Sequence, residues 1–100
     1  MKHTENQILE IAKQVLKDLG PLTNNTNKIR TMRFNSEKEL ARGAAIGKLH
    51  PCWTIFIDTL FDNTDVLTIS DESGEPLYYQ NFNMATIEIR KDANGIYTSK

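Results

Sequence analysis

Hydrophobic residues recur at helical spacing in the N-terminal part of the chain. Thr4 and Gln7 match a capping box, in which two side chains hydrogen-bond the free backbone N–H groups at the start of a helix. Gly20 and Pro21 are typical of residues that follow a helix. The pattern predicts a helix from about Glu5 to Leu19. Its apolar stripe consists of Ile8, Ile11, Ala12, Val15, Leu16 and Leu19.

The pattern between residues 22 and 52 is weaker. Residues 22–27 are predicted to form a polar loop. Lys28 to Phe34 is a strand-like run, although its apolar residues do not alternate regularly. Ser36 and Glu39 match a second capping box and predict a second, short helix. The apolar side of this helix is predicted to contain Leu40, Ala41, Ala44 and Ala45.

From Trp53 onward the apolar residues alternate as they do in β-strands. Trp53, Ile55 and Ile57 are expected to share one face of the first of these strands. Turn-forming residues separate the strands at 62–65, 71–76 and 92–95. The later strands are predicted at Val66–Ser70, Leu77–Gln80, Met84–Arg90 and the short segment Ile96–Tyr97.

Runs of strands after helices are typical of an α+β domain, in which the helices pack on one face of a sheet. A chain of 100 residues is close to the commonest domain size, and no Gly/Ser-rich linker divides it. We therefore predict a single α+β domain over residues 1–100. It should contain the N-terminal helix, the second short helix and an antiparallel sheet of four to five strands.

The chain lacks the patterns of secreted and membrane proteins. No apolar run is long enough for a transmembrane helix. The residues before the first helix lack the apolar core of a signal peptide. The chain contains one cysteine, which cannot form an internal disulfide. We therefore expect a cytoplasmic protein with no membrane contact.

Charge is distributed very unevenly along the chain. No lysine or arginine occurs between Lys48 and Arg90. The acids in this basic-free segment, residues 49–89, are Asp58, Asp62, Asp65, Asp71, Glu72, Glu75 and Glu88. The formal net charge of −1 therefore conceals a basic N-terminal half and an acidic middle. Such a division bears on partners and association rates rather than on fold.

Patterns of catalytic and metal-binding residues are absent or incomplete. His50 and Cys52 suggest a thiolate nucleophile or two metal ligands, but a cysteine before a hydrophobic strand more often packs as a small apolar side chain. The segment 62–65 lacks the glycine and the distant glutamate of a calcium loop. Asp71 and Glu72 are expected in an exposed turn, which does not shift a pKa as general acid catalysis requires. We expect no enzymatic activity, no cofactor and no metal.

Direct nucleic-acid binding is not expected either. The N-terminal half contains a basic group of residues, namely Lys28, Arg30, Arg33, Lys38 and Arg42. Nucleic-acid-binding domains, however, are usually basic as a whole, and the formal net charge of this chain is −1.

Aromatic residues lie inside the acidic segment. Tyrosines surrounded by charged residues resemble the composition of protein interfaces, and an acidic surface speeds the capture of a basic partner. The alternative is an ordinary solvated face, with acids placed in turns for local reasons. The residues predicted to bind a partner are Asp58, Asp62, Asp65, Asp71, Glu72, Glu75, Tyr78 and Tyr79.

About half of the chain resembles the small immunity proteins of bacterial toxin systems, including those of contact-dependent growth inhibition. The resembling parts are Trp53-Thr54-Ile55-Phe56-Ile57, residues 66–79 with their acidic turn, and residues 89–97. An N-terminal helix before such a meander is similar to cystatin-like and related α+β immunity folds. The resemblance implies a non-enzymatic cytoplasmic antidote that binds a cognate toxin, expected to be a basic nuclease, and blocks it.

Two other hypotheses stay open. One is a small homodimeric ligand-binding or scaffold domain of the cystatin-like kind. It predicts self-association through an exposed sheet face and an apolar pocket between helix and sheet. The other is a thiol enzyme, which requires an accessible Cys52.

Overall fold

A computed structural model describes residues 2–19, 28–39, 49–58, 64–81 and 86–99 of the chain. These residues form one helix and six strands, and they establish an α+β fold. In chain order, the elements are α1 (Glu5–Asp18), β1 (Lys28–Glu39), β2 (Leu49–Asp58), β3 (Thr64–Ser70), β4 (Pro76–Gln80), β5 (Thr86–Lys91) and β6 (Tyr97–Ser99).

Helix α1 begins at the predicted capping box. The Gln7 N–H donates to Thr4 Oγ1 at 3.1 Å, and the Thr4 N–H donates to Gln7 Oε1 at 2.8 Å. Ile8, Ala12 and Val15 are buried along one face of the helix, as their spacing predicts. At the other end, Asp18 Oδ2 accepts a hydrogen bond of 3.1 Å from the Tyr97 N–H. Both ends of the helix are therefore fixed by specific polar contacts.

The strands form an antiparallel meander in the order β1-β2-β3-β4-β5-β6. Ile55 pairs with Leu67, Leu67 with Tyr79, and Tyr79 with Ile87. Because directly paired residues point to the same face of a sheet, this register places a row of apolar side chains beneath α1. The antiparallel sheet that the alternation predicted is confirmed, and it has six strands rather than four to five.

A shift in the pairing of β1 with β2 explains the irregular sequence pattern of β1. A register shift lies between Ile29 and Thr31, so that Arg30 is an extra residue relative to β2. Ile29 then pairs with Ile57, Met32 with Ile55, and Phe34 with Trp53. All three β1 side chains consequently face the core, although their spacing in sequence does not fit a regular strand.

The second capping box was a wrong prediction. Ser36 and Glu39 belong to β1, where Glu39 pairs with Leu49 of β2. Backbone pairing with a neighbouring strand overrides the local capping pattern, since propensity is a weak guide against tertiary contacts. Within the described residues α1 is the only helix. The remainder of the predicted second helix, residues 40–48, lies outside the described residues, as does the predicted polar loop at 22–27.

The turns agree with the sequence in two of three places. The turn at 71–75 and the turn at 92–95 are present, with positive φ angles of 73° at Gly74 and 81° at Gly95. Thr64 and Asp65, predicted as part of a turn, are instead the first residues of β3, because they pair with the end of β2. Asp62 and Asn63 lie outside the described residues, as do Met84 and Ala85 of the predicted fourth strand.

The core lies between α1 and the sheet. Its most buried members are Ile8, Ala12, Val15, Leu19, Trp53, Ile55, Ile57, Leu67, Ile69 and Tyr79. A second, smaller cluster on the opposite face of the sheet contains Cys52 and Tyr78, with Leu77 packed against them. No helix among the described residues is long and apolar enough to cross a membrane.

The two faces of β2 should respond differently to truncation. Ile55→Ala removes a fully buried side chain from the core and is expected to lower the free energy of unfolding by about 2–5 kcal/mol. Thr54→Ala, its neighbour on the opposite and half-buried face, is the matched control and should cost about 1 kcal/mol or less. Urea denaturation measures both values. Equal losses would contradict the placement of the core.

Candidate functional site

The described acids of the predicted partner-binding set lie at opposite ends of the sheet. Asp58 ends β2 and Asp65 lies near the start of β3, so these two are at one end. Asp71, Glu72 and Glu75 follow β3 and are at the other end. Strand β3 contains seven residues, which corresponds to about 20 Å at the usual rise of about 3.3 Å per residue. The described acids therefore do not form one continuous surface.

At the first end, Asp58 forms an ion pair. Arg30 Nη2 lies 2.5 Å from Asp58 Oδ1, and both side chains are substantially exposed to solvent. An exposed pair of this kind contributes little to stability, but it neutralises the negative charge of Asp58. Asp62 of the predicted partner-binding set lies outside the described residues.

Asp65 and Tyr79 form a polar pair inside the core. Both side chains are buried, and the Tyr79 hydroxyl donates a hydrogen bond to Asp65 Oδ2. Burial, together with this hydrogen bond and the charge of Asp65, raises the pKa of Tyr79 far above its ordinary value. In this conformation neither side chain offers a surface to a partner.

Tyr78 and Cys52 are buried on the opposite face of the sheet. The burial of Cys52 agrees with the prediction that it packs as a small apolar side chain. A thiolate nucleophile needs access for its substrate, which a fully buried Cys52 does not provide. Tyr78 likewise contributes to packing rather than to the outer surface.

Asp71 lies in the predicted turn, but it is buried, so the prediction that it is exposed was wrong. Only 2% of its surface is accessible to solvent. The Lys2 N–H donates to Oδ2 at 2.6 Å, the His3 N–H donates to Oδ1 at 3.0 Å, and Trp53 Nε1 donates to Oδ1 at 2.9 Å. One carboxylate therefore joins the residues before α1, strand β2 and the β3–β4 turn.

The environment of Asp71 favours its charged form. Burial by itself raises the pKa of a carboxyl group, because it removes water from the charge. The hydrogen bonds from Lys2, Trp53 and His3 outweigh this effect, so the pKa of Asp71 lies below its ordinary value. The carboxylate is thus an internal anion that is stabilised by N–H donors.

Hydrogen bonds around Ser70 hold the β3–β4 turn in place. The Ser70 N–H donates to the Glu75 carbonyl at 2.9 Å, and the Gly74 N–H donates to the Ser70 carbonyl at 2.9 Å. The Ser70 hydroxyl forms a hydrogen bond of 2.8 Å with His50 Nε2 and accepts a bond of 3.3 Å from the Ser73 N–H. The turn is therefore anchored to β2 as well as to its own strands.

His3 packs directly on this turn. Its Nδ1 lies 2.6 Å from the Asp71 carbonyl oxygen, which can only accept, so Nδ1 carries the proton. A Cβ atom built at Gly74 would lie 2.7 Å from His3 Nε2. The positive φ angle favours glycine at this position, and a larger residue would also have to displace the imidazole ring of His3.

Glu72 and Glu75 are the members of the predicted set that the turn exposes. Both side chains point to solvent, and neither forms an ion pair with a described residue. The structure thus brings together Asp71, Glu72 and Glu75 in one turn, with Asp71 inside and the two glutamates outside. Partner binding by these residues stays a prediction.

The sequence indicated no role for His3, and for His50 only a candidate pairing with Cys52. In the structure His3 contacts the β3–β4 turn, and His50 contacts Ser70 at the end of β3. His3 and Asp71 are separated by 68 residues, and His50 and Ser70 by 20. No local pattern could have identified either contact. Among the described residues, no three His, Cys, Asp or Glu side chains are grouped so that they could hold a metal ion.

Comparisons with protein families, curated proteins and solved structures found no match to this chain.

The Asp65–Tyr79 pair can be tested by removing one hydroxyl. Tyr79→Phe should lower the free energy of unfolding by about 1–3 kcal/mol, because a buried carboxylate loses a donor. Tyr97→Phe is the matched control, because Tyr97 is also buried but its hydroxyl forms no hydrogen bond with a described carboxylate. This variant should change stability by roughly 0.5 kcal/mol or less. Denaturant titration at neutral pH measures both. A Tyr79→Phe variant as stable as the control would contradict the importance of this hydrogen bond.

Proposed function

We propose that this chain is a binding protein of the immunity type, which neutralises a cognate bacterial toxin domain by occluding its active or substrate-binding site. The observation that supports the proposal best is the β3–β4 turn. This turn is fixed from within by Asp71 and presents two solvent-exposed carboxylates, those of Glu72 and Glu75.

A turn of this kind suits recognition of a basic protein. Its hydrogen bonds are already formed, so little conformational entropy is lost when a partner docks on it. Two carboxylates that form no ion pair with a described residue attract a basic surface over a distance set by the ionic strength. The toxin domain is therefore expected to be basic, and a nuclease is the expected kind. Asp71, a buried member of the predicted set, would act indirectly by holding the turn.

A cytoplasmic location and a cystatin-like arrangement of helix and sheet belong to the same proposal. Cys52 is buried, and the chain has no second cysteine with which it could form a disulfide, which agrees with a reducing compartment. An antidote to a nuclease would be needed where nucleic acid is present. No catalytic role is assigned to any residue.

A small homodimeric ligand-binding or scaffold domain is the alternative. It is favoured by a groove of about 430 Å³ between α1 and β1. Leu9, Leu16 and Ile29 give the groove apolar walls, and Lys13 lies at its side. This hypothesis predicts that the protein alone is a dimer in light scattering. The immunity hypothesis is consistent with a protein that is monomeric alone and associates only with its toxin.

The test of the proposed function is co-expression with the product of the adjacent upstream gene. A stable complex and protection of the cells are expected. The double substitution Glu72→Gln and Glu75→Gln should slow association roughly tenfold at low salt, because steering depends on charge. Surface plasmon resonance at low and high salt measures the rates. Association of the unsubstituted protein should slow as salt rises.

Glu10→Gln provides a control, because Glu10 is an exposed acid on α1 and is not part of the β3–β4 turn. It should leave the association rate nearly unchanged. If no complex and no protection are found, the immunity proposal fails. If a complex forms but the double variant and Glu10→Gln have equal effects on the association rate, the toxin binds at another surface.

A further inference from the structure

The two residues before the capped helix are held on the β3–β4 turn chiefly through their backbone. We call Lys2 and His3 the N-terminal strap. Both of their backbone N–H groups donate to the carboxylate of Asp71, and the imidazole of His3 donates to the Asp71 carbonyl. One side chain therefore receives both backbone hydrogen bonds of the strap.

We infer that the N-terminal strap is a local switch, held on the β3–β4 turn while the Asp71 carboxylate is charged and released, without unfolding of α1, when that carboxylate becomes neutral. This inference does not depend on the proposed function.

The reason for the charge dependence is the number of donors. The Asp71 carboxylate accepts from Lys2, His3 and Trp53 at distances between 2.6 and 3.0 Å. A protonated carboxyl group, or an amide in its place, carries a donor on one of its two terminal atoms. That donor faces another donor, the N–H of Lys2 or of His3. In a buried site an unmatched pair of this kind is costly, so the segment that can move away does so.

The segment that can move is the strap, because α1 does not depend on it. The capping box of Thr4 and Gln7 satisfies N–H groups at the start of α1 from within the helix itself. Three buried side chains, Ile8, Ala12 and Val15, hold the helix on the sheet. Release of Lys2 and His3 therefore requires rotation of the backbone only ahead of Thr4. Trp53, by contrast, is fixed in the middle of β2 and remains beside Asp71.

Other titratable groups surround this site, and a change of pH alone does not single out Asp71. The groups on the elements that meet there are Lys2 and His3 of the strap, Glu5 of α1, His50 of β2, and Glu72 and Glu75 of the turn. The positive charge of the N-terminal amino group also acts on Asp71 and favours its charged form. His3 Nδ1 lies 3.8 Å from Asp71 Oδ1, so a protonated imidazole would favour the charged carboxylate. A substitution at constant pH separates the effect of the charge on Asp71 from the effects of the other titratable groups.

Asp71→Asn removes the charge while it preserves the size of the side chain. Amide hydrogen exchange, followed by NMR at neutral pH, should show at least about tenfold faster exchange at Lys2 and His3 in this variant. The helical amides from Ile8 onward should keep their protection. Glu72→Gln is the matched control, because it removes a charge from the neighbouring residue of the same turn, whose side chain is exposed. It should leave the exchange of both strap amides unchanged.

Two results would overturn the inference that the strap is a local switch. In the first, Lys2 and His3 keep their protection in Asp71→Asn. In the second, the strap and α1 lose protection together, so that the strap is part of the global folding unit. If the Asp71→Asn variant does not fold, hydrogen exchange of the unsubstituted protein tests the inference instead. On acidification, exchange at the strap, after correction for intrinsic rates, should then speed up with the same midpoint as the NMR signal of the Asp71 side-chain carboxyl carbon, before exchange in α1 rises. A midpoint that differs from that of the Asp71 carboxyl signal would overturn the inference.

Discussion

The buried carboxylate of Asp71 is the interaction on which the arrangement of one end of this protein depends. It receives N–H donors from the N-terminal strap and from Trp53 of β2, while its own backbone N–H donates to the Pro51 carbonyl at 3.0 Å. Segments that are distant in sequence therefore converge on one residue. A charge buried to this extent is tolerated only because donors replace the water it has lost.

This anchoring gives neighbouring acids of one turn different roles. Asp71 points inward and fixes the turn, whereas Glu72 and Glu75 point outward and carry its charge. Ser70 and Gly74 add hydrogen bonds within the turn. Some acids of the basic-free segment are thus buried and stabilise the fold, and others are exposed. Only the exposed acids are available to a partner. At the other end of the sheet, Asp65 likewise points inward, where it accepts a hydrogen bond from the Tyr79 hydroxyl.

Local patterns in the sequence predicted much of the fold. The capping box at Thr4 located α1, and alternation located the antiparallel strands, because both signals arise between residues close in sequence. The extra residue Arg30 in β1 hid the core-facing positions of that strand. Pairing with β2 likewise overrode the capping pattern at Ser36. The candidate site was only partly predictable. The residues of its turn were recognised, but the burial of Asp71 comes from contacts across 68 and 69 residues of sequence.

The pKa of Asp71 tests this account most directly. Its folded-state pKa is lowered, so the stabilisation is present at pH values above the unfolded-state pKa and is lost as the pH falls through the folded-state pKa. Titration of the side-chain carboxyl carbon by NMR should give a midpoint below the ordinary value of 3.8. The Trp53 indole N–H signal and the Lys2 and His3 amide signals should move with the same midpoint. A midpoint at or above 3.8, or an indole signal that does not follow it, would contradict the account.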